Sequence, residues 1–257
     1  MTALRHSLFA IFGLAFGSFL TVVIYRIPRG ESVVSPGSAC PSCGAPIGPL
    51  QNVPLLSYLA LRGRCKTCGA HISLEYPLTE GATSALFVGA SLALTTVWRA
   101  GLAAPFLGLL LACAVIDYRK RIIPNAVVLP ALVAFAAAIL ALDLAGQPLS
   151  FVDGLLGLLA YGGGLFLVAL VSPGGMGMGD VKLAALIGLV LGALGLRYVG
   201  VAAALGILTG GLGAVVALAL GRDRKDAIPF GPYLALGAAA AVFTAPTVAG
   251  WYAGLFR

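Results

Sequence analysis

Apolar runs near 20 residues recur along the chain, separated by short polar or glycine-rich stretches. That length matches the roughly 20 residues a helix needs to cross a bilayer. The pattern predicts eight spans, at about 6–25, 78–98, 102–118, 126–145, 151–171, 181–195, 198–220 and 229–254. The sixth is short, as if it entered the bilayer obliquely. One interruption is of another kind: residues 27–77 are polar, rich in proline and glycine, and too long for a turn between helices. The chain therefore divides into a first helix (1–26), an extramembrane module (27–77) and a helical core (78–257). The first apolar run is long and lacks an A-x-A-like site before a soluble domain, so it reads as a span and not as a cleaved signal. The predicted fold class is an all-α polytopic membrane protein of about eight transmembrane helices, with a small module between helices one and two.

Composition agrees. The 257 residues are 60% hydrophobic and only 10% charged, with mean hydropathy +1.03, where a soluble domain carries about a quarter charged residues. The 35 glycines suit helices that approach closely in lipid. A net charge of +7 raises the question of nucleic acid, and its distribution answers it. With the N-terminus outside, 12 of the 16 basic residues fall on the inner side: Arg26, Arg29, Arg62, Arg64, Lys66, Arg119, Lys120, Arg121, Lys182, Arg222, Arg224 and Lys225. Only Arg5, Arg99, Arg197 and Arg257 fall outside. This bias is the positive-inside rule at work. It predicts an N-out, C-out protein in membrane lipid, with the 27–77 module in the cytosol and no role for nucleic acid.

The module carries Cys40-Pro-Ser-Cys43 and Cys65-Lys-Thr-Cys68, each followed by a glycine, Gly44 and Gly69. Two C-x-x-C turns 21 residues apart suit a tetrahedral Zn2+ site of four thiolates, although the gap slightly exceeds the usual range. A reducing cytosol disfavours the competing disulfide reading. Four protein ligands leave no open position, so the zinc is structural. So polar a segment cannot bury much core and needs the metal to fold. Cys113, inside a span, reads as an inert buried thiol.

The nine acidic residues allow elimination. Glu31 and Glu75 belong to the module and Glu80 opens the second span. Asp143 and Asp153 lie outside, and Asp223 and Asp226 sit in a mixed-charge loop. Asp117 ends an apolar run, just before Tyr118-Arg-Lys-Arg121. Asp180 follows the glycine-rich stretch Pro173-Gly-Gly-Met-Gly-Met-Gly179 and opens the next helix. Ionisable groups at membrane depth are functional candidates, and the charge count puts both at the cytosolic ends of their spans. Two such carboxylates can divide acid and base work on a water molecule. Helix dipoles favour Asp180, at an N-terminus, as the carboxylate, and Asp117, at a C-terminus, as the acid. Taken singly, the first would be a helix cap and the second an interfacial anchor. Gly174, Gly175, Gly177 and Gly179 permit irregular backbone and the approach of an extended peptide; their plain alternative is a flexible connector.

Residues 173–184 resemble the GxGD signature of intramembrane aspartyl proteases, and the wider pattern is similar to bacterial type IV prepilin peptidases. Gly17-Ser-Phe-Leu-Thr-Val-Val-Ile-Tyr-Arg-Ile-Pro28, the cysteine pairs with Asn52-Val-Pro-Leu-Leu-Ser-Tyr58 between them, Ile116-Asp-Tyr-Arg-Lys-Arg-Ile-Ile-Pro124 and Ile228-Pro-Phe-Gly-Pro-Tyr-Leu-Ala-Leu-Gly237 follow in the family's order. The resemblance implies a bacterial inner-membrane enzyme with its site facing the cytosol, whose core 78–257 is an aspartyl protease. It would cut the basic leader from prepilins and pseudopilins after a glycine, then methylate the new N-terminus with S-adenosylmethionine. It implies Asp117 and Asp180 as catalytic residues, with Gly177, Gly179 and Lys182 in the active-site loop. Cys40, Cys43, Cys65 and Cys68 would hold zinc, and Gly63 and Arg64 would serve methyl transfer. Thr21 stands where the family commonly has Asn, and Gly37-Ser-Ala39 where an acidic residue is common. Two rivals stand beside this reading. Another GxGD protease would share the aspartates but lack the four cysteines. A proton- or cation-coupled transporter would show inverted repeats.

Overall fold

A computed structural model describes residues 2–171, 176–220 and 229–254. Gly174, Gly175, Asp223, Asp226, Arg257 and the basic residues of the 222–225 loop lie outside the described residues. The described chain is helical, with two isolated β-bridges and no strand. In order it forms α1 (Thr2–Arg26), α2 (Leu56–Ala60), α3 (Glu75–Ala93), α4 (Val97–Lys120), α5 (Asn125–Leu144), α6 (Phe151–Gly157), α7 (Gly164–Val171), α8 (Met178–Leu194), α9 (Leu196–Ala219) and α10 (Gly231–Gly254). A π-helical turn, Leu158–Gly163, joins α6 to α7, so that 151–171 is one rod.

Six of these rods are long and apolar enough to cross a membrane: α1, α4, α5, the 151–171 rod, α9 and α10. The chain is a membrane protein. The other two long helices, α3 and α8, fall short of that standard among the described residues. α3 carries Glu75 and the buried Glu80, and α8 has 17 residues.

Two boundaries differ from the hydropathy pattern. The second predicted span runs on to residue 98, but α3 ends at Ala93 and α4 begins at Val97. Thr96 is the reason: it is extended, and its Oγ1 accepts the Arg99 N–H at 3.3 Å, a side-chain N-cap that starts a helix. Hydropathy cannot see a threonine that breaks an apolar run by capping. The short sixth span is also not a peripheral helix. Leu183, Leu186, Ile187, Leu189, Val190 and Leu191 of α8 are all fully buried, so α8 is the core around which the others pack, as befits a helix apolar on every side.

Glycines set the spacing. A Cβ on Gly188 of α8 would overlap the carbonyl of Gly157, and one on Gly192 that of Asp153. The backbones of α8 and the 151–171 rod therefore meet directly, which small residues allow. Gly13 packs on Ser84 and Gly17 on Glu80, so α1 and α3 run antiparallel. Gly210 against Phe230 and Gly237 against Ala202 do the same for α9 and α10.

Two of the arginines that fall outside the inner-side count have structural work. Arg5 donates to the carbonyls of Thr95 (3.2 Å) and Ser91 at the C-terminal end of α3. Arg99 donates to Leu194 O at the end of α8. Both complement a helix C-terminus.

Candidate active site and four-cysteine cluster

Asp117 and Asp180 lie 63 residues apart in sequence, yet both line one cavity of about 290 Å³. Arg121, Asn125, Gly177 and Lys182 share its wall. Asp117 lies on the last turns of α4 and is 5% exposed. Its Oδ2 accepts the backbone N–H of Gly231 at 2.9 Å. A Cβ at residue 231 would sit 2.7 Å from that oxygen, so only glycine lets the first amide of α10 reach the carboxylate.

Asp180 is the third residue of α8, half-buried, with its N–H bonded to Gly177 O at 3.0 Å. The glycines before it have separate jobs. A Cβ on Gly177 would stand 3.1 Å from Asp180 Oδ2, and one on Gly179 would stand 3.0 Å from Ile123 Cβ. Gly177 clears space beside the carboxylate. Gly179 lets the first turn of α8 press on the connector between α4 and α5. That connector turns at Arg121, which adopts the left-handed conformation (φ 55°, ψ 39°) and donates its N–H to Asp117 O at 2.7 Å. Lys182 Nζ donates to Asn125 Oδ1 at 2.9 Å, joining α8 to the start of α5 at the cavity rim.

Gly231, Asn125 and Arg121 carry no assigned role in the sequence pattern. Gly231 lies within Ile228-Pro-Phe-Gly-Pro-Tyr-Leu234, but nothing in the stretch shows that its amide serves a carboxylate 114 residues earlier. Asp180 sits at the N-terminus of α8, and Asp117, in the C-terminal turn of α4, also meets the first amide of α10. That amide offsets part of the dipole contrast expected between them.

The cysteines converge as their spacing predicts. The sulfurs of Cys40, Cys43, Cys65 and Cys68 all lie within 4.8 Å of one another, and Cys40 Sγ is 3.9 Å from Cys68 Sγ. Tetrahedral ligands at about 2.3 Å from a zinc ion would be about 3.8 Å apart, so the cluster has the dimensions of a metal site. The two knuckles repeat each other. Cys40 N–H bonds Ala45 O and Gly44 N–H bonds Cys40 O, while Cys65 N–H bonds Ala70 O and Gly69 N–H bonds Cys65 O. Gly44 and Gly69 take left-handed φ of 70° and 73°, which glycine adopts without cost. The amides of Cys68 and Thr67 pull the Cys65 thiol down to about 6. Those of Cys43 and Ser42 lower Cys40 in the same way. Two of the four thiols are thus biased toward the thiolate that a divalent metal requires, while the Cys68 thiol is pushed up to about 11, against the pull of the Ala70 backbone, by the neighbouring Cys43 sulfur and by burial.

Gly63 (φ 68°) lies beneath Tyr58, whose Oη would be 2.8 Å from a Cβ there. Arg64 is exposed beside the second knuckle and bridges to His71. A 2.6 Å ion pair between Glu75 and Arg119 ties the end of the module to the helix that carries Asp117. Cys113 is fully buried in α4.

Residues 11–94 match the bacterial peptidase A24 N-terminal domain, and residues 104–222 match the type IV leader peptidase family. The chain is 36% identical over 249 residues to the prepilin leader peptidase/N-methyltransferase of Bacillus subtilis (strain 168), covering 96% of this chain and 97% of that protein. To the protein of the same name from Aeromonas hydrophila it is 34% identical over 280 residues, covering 97% and 94%. To that of Pseudomonas putida it is 37% identical over 286 residues, covering 97% and 90%. No solved structure matches the chain.

Proposed function

The chain belongs to the type IV leader peptidase family, and from that premise we propose that it cuts the leader from type IV prepilins and pseudopilins by a two-aspartate mechanism at Asp117 and Asp180. The observation that carries this is the meeting of the two carboxylates in one cavity. A water held between them gives up a proton to one carboxylate as it attacks the scissile carbonyl, and the other, protonated, supports the developing oxyanion; the C–N bond then breaks as the newly protonated carboxyl passes its proton to the leaving amine. The pair titrates as a unit. Gly231 holds Asp117 in place through Oδ2, so any proton on Asp117 is carried by Oδ1. Gly177 and Gly179 leave room for an extended peptide, with cleavage after a glycine of the leader. Lys182, held by Asn125, borders the same space.

The orientation is N-out and C-out across eight spans of the bacterial inner membrane, with α3 and α8 counted as crossings and the site facing the cytosol. Support comes from the gathering of Asp117, Asp180, Gly231 and the Glu75–Arg119 pair at one end of the bundle. The Arg5 and Arg99 helix caps lie at the other. Cys40, Cys43, Cys65 and Cys68 hold a structural Zn2+ that organises the 27–77 module. The relatives' names support a second activity, N-methylation of the new terminus with S-adenosylmethionine as methyl donor. Gly63, beneath Tyr58, and the exposed Arg64 are the residues that would serve that donor.

The test is cleavage of a purified prepilin by wild type, Asp117→Asn and Asp180→Asn, with product masses taken with and without S-adenosylmethionine. Asp117→Asn keeps an oxygen for the Gly231 N–H, so the fold survives the change. Both variants should be inactive while folded, and a product heavier by one CH2 should appear when the methyl donor is present. Normal cleavage by either variant would sink the aspartate assignment.

A further inference from the structure

Three leucines between residues 49 and 60 stand open: Leu50 is 87% exposed, Leu56 66% and Leu59 70%. In a module that buries little, these are the residues expected to turn inward. Their depth explains why they do not. Gly17 of α1 packs directly on Glu80 of α3, and α1 continues nine residues beyond Gly17 to Arg26, about 13 Å at 1.5 Å per residue. The loop before α2 reaches down to that level, because the Leu55 N–H donates to the buried Glu80 Oε2 at 2.9 Å. A glutamate side chain leans toward its helix N-terminus, here toward the end of α1. Leu55 therefore lies between the level of Gly17 and the end of α1, short of the helix end and at the depth of an interfacial element.

The backbone there is provided for. Besides Leu55, the N–H groups of Leu56, Ser57 and Leu59 find Pro54 O, Val53 O and Leu55 O, and Pro54 has none to satisfy. Leu55 takes φ 59° to turn the chain back into α2. Charge points the same way. No acidic residue lies between Glu31 and Glu75, while Arg62, Arg64 and Lys66 follow α2 directly and are exposed.

We propose that residues 49–60 are a lipid-inserting element, with Leu50, Leu56 and Leu59 in the leaflet on the module's side and Arg62 and Arg64 on anionic phospholipid headgroups. Glu80 is the peg that holds the element at this depth. The four-cysteine cluster is thereby moored to the bilayer between two helices and not suspended from them.

The test uses the full chain in nanodiscs of phosphatidylcholine and phosphatidylglycerol. Leu59→Trp and, separately, Leu56→Trp are made in a Trp98→Phe, Trp251→Phe background, and both positions are open enough to accept the ring. Each reporter should lose most of its emission when the acyl chains carry bromine near the headgroup, and little to aqueous iodide. Val34→Trp is the control. Val34 is 86% exposed but lies past the end of α1, where Arg26 holds the carbonyls of Ser32 and Gly37, so iodide should quench it and bromine should not. Bromine quenching at 56 and 59 should weaken when Arg62→Gln and Arg64→Gln are added. Iodide quenching at 56 and 59, equal bromine quenching at 34, or a response only on adding a prepilin would overturn the proposal; the last would assign the leucines to a peptide.

Discussion

Gly231→Ala isolates the contact that positions Asp117. The added Cβ would sit 2.7 Å from Asp117 Oδ2, 3.1 Å from its Cγ and 3.2 Å from its Cβ. Ordinary contact begins near 3.4 Å, so the carboxylate must retreat by about 0.7 Å or α10 must move by as much. Because three atoms of the side chain are crowded at once, rotation about χ2 alone cannot relieve the clash. A displacement near 1 Å costs about 10²-fold in rate, equivalent to about 2.7 kcal/mol of transition-state stabilisation. The backbone at 231 is not left-handed, so alanine meets no conformational penalty and the fold should persist. The assay is prepilin cleavage under saturating and limiting substrate, beside thermal unfolding of the same preparation. The fall should appear in kcat, since the substrate's distant contacts are untouched. Gly211→Ala, where a Cβ would meet nothing within 4 Å, should leave kcat as it was. Cleavage by Gly231→Ala within twofold of wild type would refute the claim that the α10 amide positions the carboxylate.

Three further outcomes follow from other contacts. Gly188→Ala forces a methyl against the carbonyl of Gly157 and should destabilise the bundle by about 1–3 kcal/mol, read as a lower unfolding temperature in detergent. An unchanged temperature would mean the two backbones do not touch. Removing zinc with a chelator, or replacing Cys43 with serine, should expose residues 30–48 and 61–74 to limited proteolysis while helical circular dichroism holds, because none of the four cysteines lies on a long helix. Lys182→Met should lower kcat/KM by less than about tenfold, since the hydrogen bond to Asn125 is exposed. Asn125→Ala should cost a similar amount, and the double variant should cost no more than either.

The helical architecture was open to inspection in the chain because a bilayer allows so few alternatives: apolar runs of one length must become helices. The boundary at 94–96 was hidden for an equally physical reason. Leu94, Thr95 and Thr96 are no barrier on a hydropathy scale, and only the Thr96 hydroxyl on the Arg99 amide ends one helix and begins the next. The place of α8 was hidden too. Hydropathy scores lipid and protein interior alike, so a short apolar helix in the centre and one at the edge give the same signal. The buried glycine contacts at 157, 188 and 192 distinguish them.

The site divides along similar lines. Asp117, Asp180 and the four cysteines were legible because charge at membrane depth and paired C-x-x-C spacing are local properties. Gly231 was not, because its reason for being glycine lies 114 residues away. The dipole contrast is softened for the same cause. A carboxylate feels whichever peptide groups are nearest, whatever helix it belongs to, and the nearest to Asp117 is an amide 2.9 Å off at the start of α10. Its own helix ends beyond it at Lys120, where the Arg121 amide already closes on Asp117 O. Asp117 thus lies between two helix ends, the last turn of α4 and the first amide of α10, while Asp180 lies at the first turn of α8 alone. One oxygen of Asp117 is committed to a backbone donor that no substitution of residue 231 can delete, since every residue except proline supplies an N–H. The contact can be perturbed only through space, which is why a single methyl group is the decisive probe of this site.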